Sequence, residues 1–312
     1  MTPFAFVFPG QGSQSVGMLD AWGDHPAVTQ TVAEASAALG EDVAKLIHQG
    51  PKEALELTTN TQPVMLTAAI ACYRAWRAEG GAEPAAVAGH SLGEYSALVA
   101  AGALSLADAL PLVRFRAQAM QQAVPVGAGA MAAILGLDAA QVREACAAVA
   151  AASGEVVEPA NFNDPKQTVI AGSKAGVDLA CEKLKAMGAK RALLLAVSAP
   201  FHSSLMKPAA DALRGKLATV VIRAPSIAVV NNIDVAVQSD PDAIRDALFR
   251  QAFGPVRWVE VTQALRARGL VHILECGPGK VLSGLVKRID SEIKSTTVLD
   301  PASLVQAKEL LS

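Results

Sequence analysis

An α/β fold, a parallel sheet between helices with a small second unit inserted in it, is predicted by three features of this 312-residue sequence. Short apolar runs end on Gly, Pro, Asn or a polar residue, tracts of helical periodicity separate them, and one internal segment follows a different order of elements. Runs that are apolar on every residue fit strands buried on both faces, as parallel strands are. Their alternation with helices puts a helical layer on each side of the sheet. With 52% hydrophobic and 18% charged residues the chain is rich in core, and its length suits one large domain carrying a smaller insert.

FAFVF (4–8) is the first strand; Pro9 and Gly10 stop it, and without a preceding basic region it is not a signal segment. A helix over 61–80, a strand AAVAG (85–89) and a helix over 105–123 follow. Between 127 and 198 the order becomes βαββαβ: AMAAILGL, DAAQVREACAAVAAA, VVEPANFN, a turn at Asp164 and Pro165, QTVIAGS, KAGVDLACEKLKAMG and RALLLAVS. That order is ferredoxin-like and self-contained. It predicts a subdomain over 127–198 inside a main domain made of 1–126 and 199–312, whose sheet is completed by SIAVVNN (226–232) and LVHILE (270–275).

A net charge of −2 supplies no overall attraction for nucleic acid or for a membrane surface. No stretch approaches the roughly 18–20 uninterrupted apolar residues of a membrane span, so the protein is expected in the cytoplasm. Cys72, Cys146, Cys181 and Cys276 form no CxxC pair, which argues against a zinc knuckle or a disulfide framework. They are expected reduced and buried, and no metal site is expected.

GHSLGEYSAL (89–98) contains G-x-S-x-G between the strand AAVA and a helical tract, the context in which glycines let a strand turn sharply into a helix and expose a serine. Ser91 is thus a candidate nucleophile, and a serine capping a helix N-terminus is a compatible second reading. A hydroxyl needs a base to take its proton. His25 and His48 lie in polar segments and His272 in an apolar run, while His90 adjoins the serine and points its side chain elsewhere. His202 in VSAPFHSSLM sits where the chain returns from the inserted segment, a place where clefts form. In the helix over 105–123, Ala109, Leu112, Val113, Ala117 and Met120 form an apolar stripe with Arg116 in its middle and Arg114 on the opposite side. A guanidinium on the buried face needs an anion, either a protein carboxylate or one on a substrate.

In chain order PGQGSQ (9–14), NTQP (60–63), GHSLGEYSAL, RFRAQAMQQAVP (114–125), ANFN (160–163), PFHSSLM (200–206), NNIDV (231–235) and CGPGKVLSGLVKRI (276–289) resemble the malonyl-CoA:acyl carrier protein transacylase family, over nearly the whole chain. The resemblance implies an α/β-hydrolase-like domain with a ferredoxin-like insert. It implies that Ser91 carries the malonyl group, that His202 is base and then acid, and that the main-chain carbonyl of Gln251 orients the histidine. It further implies an oxyanion hole from the amides of Gln11 and Leu92, and Arg116 as the partner of the malonyl carboxylate. Phe201 becomes a wall that crowds an α-methyl branch, and His90, Gln62 and Asn161 line the pocket. The implied substrates are malonyl-CoA and the phosphopantetheine thiol of acyl carrier protein, with coenzyme A thioester as substrate and no permanently bound cofactor. Lys174, Lys185, Lys190 and Arg191 on the insert are candidate carrier-protein contacts, and nothing in the sequence requires an oligomer. A serine hydrolase or thioesterase would use the same Ser91 and His202 with water as acceptor, and Arg116 on a buried face with Gln251 in place of an acid argues against it; a non-enzymatic carrier-docking module would not need Ser91, His202 and Arg116 intact.

Overall fold

The computed structural model describes residues 2–197 and 199–312; Met1 and Ser198, the latter closing the inserted segment as bounded above, lie outside the described residues. The chain runs β1 (Phe4–Phe8), α1 (Pro26–Leu39), α2 (Val43–Gln49), α3 (Lys52–Glu56), α4 (Thr58–Ala78), β2 (Ala86–Gly89), α5 (Gly93–Ala100) and α6 (Leu106–Gln122). Then come β3 (Gly129–Leu135), α7 (Ala139–Ser153), β4 (Val157–Asp164), β5 (Gln167–Ser173), α8 (Lys174–Ala186) and β6 (Arg191–Leu194). The rest is α9 (Lys207–Leu217), β7 (Ala228–Val230), α10 (Pro241–Gln251), α11 (Trp258–Ala267), β8 (His272–Cys276), α12 (Val281–Ile289), β9 (Thr297–Val298) and α13 (Pro301–Leu311).

A parallel sheet in the order β7-β2-β1-β8-β9 forms the main body. β1 is its centre, and all five of its residues are buried. With period 2, Phe4, Phe6 and Phe8 face α4, where Phe6 meets Trp76 edge-on with ring centroids 5.4 Å apart, while Ala5 and Val7 face Trp258, Val261 and Leu285. β9 is a two-residue strand that its short apolar content hid from the sequence reading. Because β2 lies on one side of β1 and β8 on the other, the strand order reverses at β1. Crevices open beyond the carboxyl ends of strands at such a point.

The second sheet is antiparallel, in the order β4-β5-β3-β6. Ile134, Ile170 and Val157 pack on one face under α7 and α8 through Val142, Cys146, Val177 and Leu184. Met131, Ala133, Val169 and Ala171 pack on the other face, against Phe201 and Val197. β4 is fastened to the main body: Phe162 N donates to Val256 O at 2.9 Å, Val256 N donates to Ala160 O at 2.8 Å, and Arg288 Nε pairs with Asp164 at 2.8 Å. Among the described residues no helix is long and apolar enough to cross a membrane, and the four cysteines are free and buried.

Candidate active site

Ser91 follows β2 at the reversal point, in the left-handed region with φ 51°. A non-glycine residue there costs about 1–3 kcal/mol and persists only when its surroundings hold it. Two glycines allow the approach. A Cβ on Gly89 would fall 1.9 Å from the carbonyl carbon of Gly93, and one on Gly93 would fall 2.1 Å from Phe8 O. Asn232, after β7, holds the turn: its Oδ1 accepts from Ser91 N at 2.7 Å and its Nδ2 donates to Gly89 O at 2.7 Å. The serine is thereby presented at the head of α5, where helix amides lack intrahelical acceptors and favour negative charge.

His202 Nε2 lies 2.7 Å from Ser91 Oγ. On the other side of the ring, Nδ1 faces two carbonyls, Gln251 O at 3.0 Å and Gly254 O at 3.1 Å. Two carbonyl acceptors require the proton on Nδ1, which leaves Nε2 free to accept from the serine hydroxyl. Burial, then the nearby Arg116 charge, push the imidazole down from 6.5 to about 3, so the ring is neutral and its Nε2 lone pair is free to face the serine hydroxyl. His202, like Ser91, is held in the left-handed region, at φ 61°.

Arg116, on α6, is 2% exposed. Its Nη1 donates to Gln62 Oε1 at 2.8 Å, and Nη2 donates to Gln251 Oε1 at 3.1 Å and to Ser91 Oγ at 3.2 Å. Among the described residues no carboxylate lies within ion-pair distance of it. Arg114, on the opposite side of the helix, holds Glu41 by two bonds of 2.7 Å. The question left open for Arg116 by its place on the apolar stripe is therefore met by neutral amides: a buried cation aimed at the serine has acceptors but no counter-anion in contact.

These groups border a cavity of about 420 Å³ between the two sheets. Gln11, Leu92, His90, Asn161 and Phe201 all line it, together with Met131 and the 195–197 segment. The Leu92 amide belongs to the N-cap of α5, and the Gln11 side chain is anchored on Thr58 Oγ1 at 3.1 Å. His90 turns away from the serine to Asn163 Oδ1 at 2.8 Å, and burial lowers its pKa. His25 caps α1 through Ala27 N, His48 pairs with Asp20, and His272 lies in β8; none borders the cavity.

Three residues of this site were not singled out in the sequence. Asn232 and Asn163 stand inside the quoted blocks NNIDV and ANFN, and nothing in their spacing shows that they reach Ser91 or His90. Glu94, in the first turn of α5, is buried and pushed up from 4.5 to about 7, first by burial.

A strained serine against a neutral histidine seated on carbonyls, with an unpaired buried arginine beside them, suits acyl transfer from a substrate that carries a carboxylate. Residues 5–300 match the family described as acyl transferase domain. The malonyl CoA-acyl carrier protein transacylase of Escherichia coli strain K12 is 54% identical, covering 99% of this chain and 100% of its own, and that of Bacillus subtilis is 45% identical over 100% and 98%. Among solved structures, an acyl-carrier-protein S-malonyltransferase from Burkholderia pseudomallei is 66% identical with TM-score 0.97, covering 98% of this chain and 99% of its own. A type II PKS acyl-carrier protein in complex with its malonyl-transacylase is 50% identical with TM-score 0.97, covering 99% and 100%. Likeness at this level extends over essentially the whole chain, and the chain belongs to the malonyl-CoA:acyl carrier protein transacylase family of acyl transferases.

Proposed function

We propose that the protein transfers the malonyl group from malonyl-CoA to the phosphopantetheine thiol of acyl carrier protein through a malonyl-Ser91 intermediate, supplying units for fatty acid or polyketide synthesis. The observation that carries this reading is the buried Arg116, aimed at Ser91 Oγ from 3.2 Å with neutral partners only. In the first half-reaction Ser91 Oγ attacks the thioester carbonyl as Nε2 of His202 takes its proton. The carbonyl oxygen is received by the amides of Gln11 and Leu92. The tetrahedral intermediate then collapses, the proton passes from His202 to the departing coenzyme A sulfur, and the malonyl ester remains on Ser91. In the second half-reaction the carrier thiol gives its proton to His202, attacks the ester, and Ser91 leaves with the proton restored. One thioester replaces another, so the exchange is nearly balanced and reversible.

The malonyl carboxylate lies on the Arg116 fork, Gln62 and Gln251 keep that fork in register, and Phe201 limits the room beside the α-carbon. Residues 1–126 and 199–312 serve as the catalytic domain and 127–198 as the subdomain that closes the cavity. The cytoplasm is the compartment we propose for the reaction, a reading that the four free, buried cysteines support.

Arg116 also sets the timing. After burial, its charge is the next cause that depresses the His202 pKa; a bound carboxylate offsets that part of the shift, so the imidazole becomes a better base once substrate is seated. The neutral ring is the active form, so activity falls as pH drops through the histidine's pKa. That acid limb is expected below 6.5 in kcat/KM, which reports the free enzyme, and at a higher pH in kcat, which reports the complex. Coincident limbs near 6.5 would contradict the electrostatic link.

The test of the function is a transfer assay with malonyl-CoA and phosphopantetheinylated carrier protein. Malonyl-carrier formation outrunning release of free malonate is expected; malonate released faster than carrier is loaded would mean that water, not the thiol, is the acceptor.

A further inference from the structure

Glu94 is 2% exposed and takes part in no step above. A carboxylate in the first turn of a helix is often there for the helix dipole alone, yet this one spends its Oε2 on two donors from distant segments. It accepts from Asn232 N at 2.8 Å and from Gln251 Nε2 at 3.1 Å. Asn232 is the residue whose side chain holds the Ser91 amide. Gln251 is the residue whose carbonyl seats His202 Nδ1, whose Nε2 also donates to Ser91 O at 3.0 Å, and whose Oε1 receives Arg116 Nη2. A single oxygen therefore joins the support of the serine to the support of the histidine.

We propose that Glu94 is a positioning residue: by accepting from Asn232 and Gln251 on one oxygen, it fixes the spacing between the Ser91 turn and the His202 seat, and through Gln251 the aim of Arg116. The inference rests on the reading of Ser91 and His202 as nucleophile and base. It assigns the effect to the reach of an acceptor oxygen, not to a negative charge that balances Arg116. The upward shift of the carboxyl to about 7 fits this division, because a carboxyl that gains a proton keeps a carbonyl oxygen able to accept.

Two near-isosteric changes separate reach from charge. Glu94→Gln keeps an acceptor oxygen at the same reach and removes the charge. Glu94→Asp keeps the charge and withdraws the oxygens by about 1.5 Å, one carbon–carbon bond. Rapid-quench acylation at saturating malonyl-CoA is expected to leave Glu94→Gln within about threefold of wild type and to slow Glu94→Asp by about 10- to 100-fold, the scale of a misplacement of about 1 Å. Nitrogen-15 NMR of His202 supplies a readout that a merely structural role would not move: the Nε2–H tautomer should grow in Glu94→Asp and stay at the wild-type level in Glu94→Gln. Should Glu94→Asp fail to fold, Glu94→Met, similar in size and without an acceptor, carries the same expectation. A Glu94→Asp variant as fast as wild type, a Glu94→Gln variant as slow as Glu94→Asp, or an unchanged tautomer in the slow variant would overturn the proposal. Absence of an acyl adduct in the wild-type protein would instead overturn the nucleophile reading beneath it.

Discussion

Replacing Arg116 with alanine is expected to lower kcat/KM for malonyl-CoA by about 10²- to 10³-fold, and to lower that for acetyl-CoA much less. The two donors of the fork form charge-assisted hydrogen bonds, each worth about 1.5–3 kcal/mol, and tenfold in rate corresponds to about 1.4 kcal/mol. Burial matters to the size of the effect. In the free protein the guanidinium is already buried and held by Gln62, Gln251 and Ser91 Oγ, so most of its desolvation cost is met before a carboxylate binds. Arg116→Lys should recover only part of the loss, because an ammonium lacks the planar fork and cannot reach Gln62 and Gln251 together. Steady-state kinetics with both thioesters decides the matter: equal losses for malonyl and acetyl would make Arg116 a support for the turn and not the selector of the acyl group.

Removing the imidazole should be at least as damaging. For His202→Ala, acylation is expected to slow by about 10³- to 10⁴-fold, the upper part of the range for a positioned general base. Malonyl-CoA binding should change little, since the carboxylate partner is Arg116. Single-turnover acylation measured alongside equilibrium binding separates the two. A variant that acylates at near the wild-type rate would show that the 2.7 Å contact between Nε2 and Ser91 Oγ is not used for proton transfer.

The parts of this protein that were legible in its sequence are those that local patterns encode. FAFVF reads as a central strand because a parallel strand buried on both faces has no polar alternation, and its five residues are all buried. The G-x-S-x-G run reads as a strand-to-helix turn because close backbone approach admits only glycine at 89 and 93. Arg116 is visible because a charge on an apolar helical stripe is conspicuous. What the sequence concealed is set by tertiary contact. Asn232 lies 141 positions from Ser91 and supports it through its amide. Glu94 belongs to the same short run as the serine, yet its role depends on two donors that arrive from the ends of β7 and α10. β9 escaped notice because two residues carry no periodicity. Gln251 shows the boundary between the two kinds of knowledge. Family likeness points to its backbone carbonyl, and the fold adds a side chain that bridges Arg116 and Glu94.

The central claim is that Ser91 carries the malonyl group between two thiols. Intact-protein mass spectrometry after brief exposure to malonyl-CoA tests it most directly. One malonyl group is expected on the wild-type chain, localised to Ser91 by peptide mapping, absent from Ser91→Ala, and discharged when phosphopantetheinylated carrier protein is added. An unmodified wild-type chain, or an adduct that persists in Ser91→Ala, would contradict it.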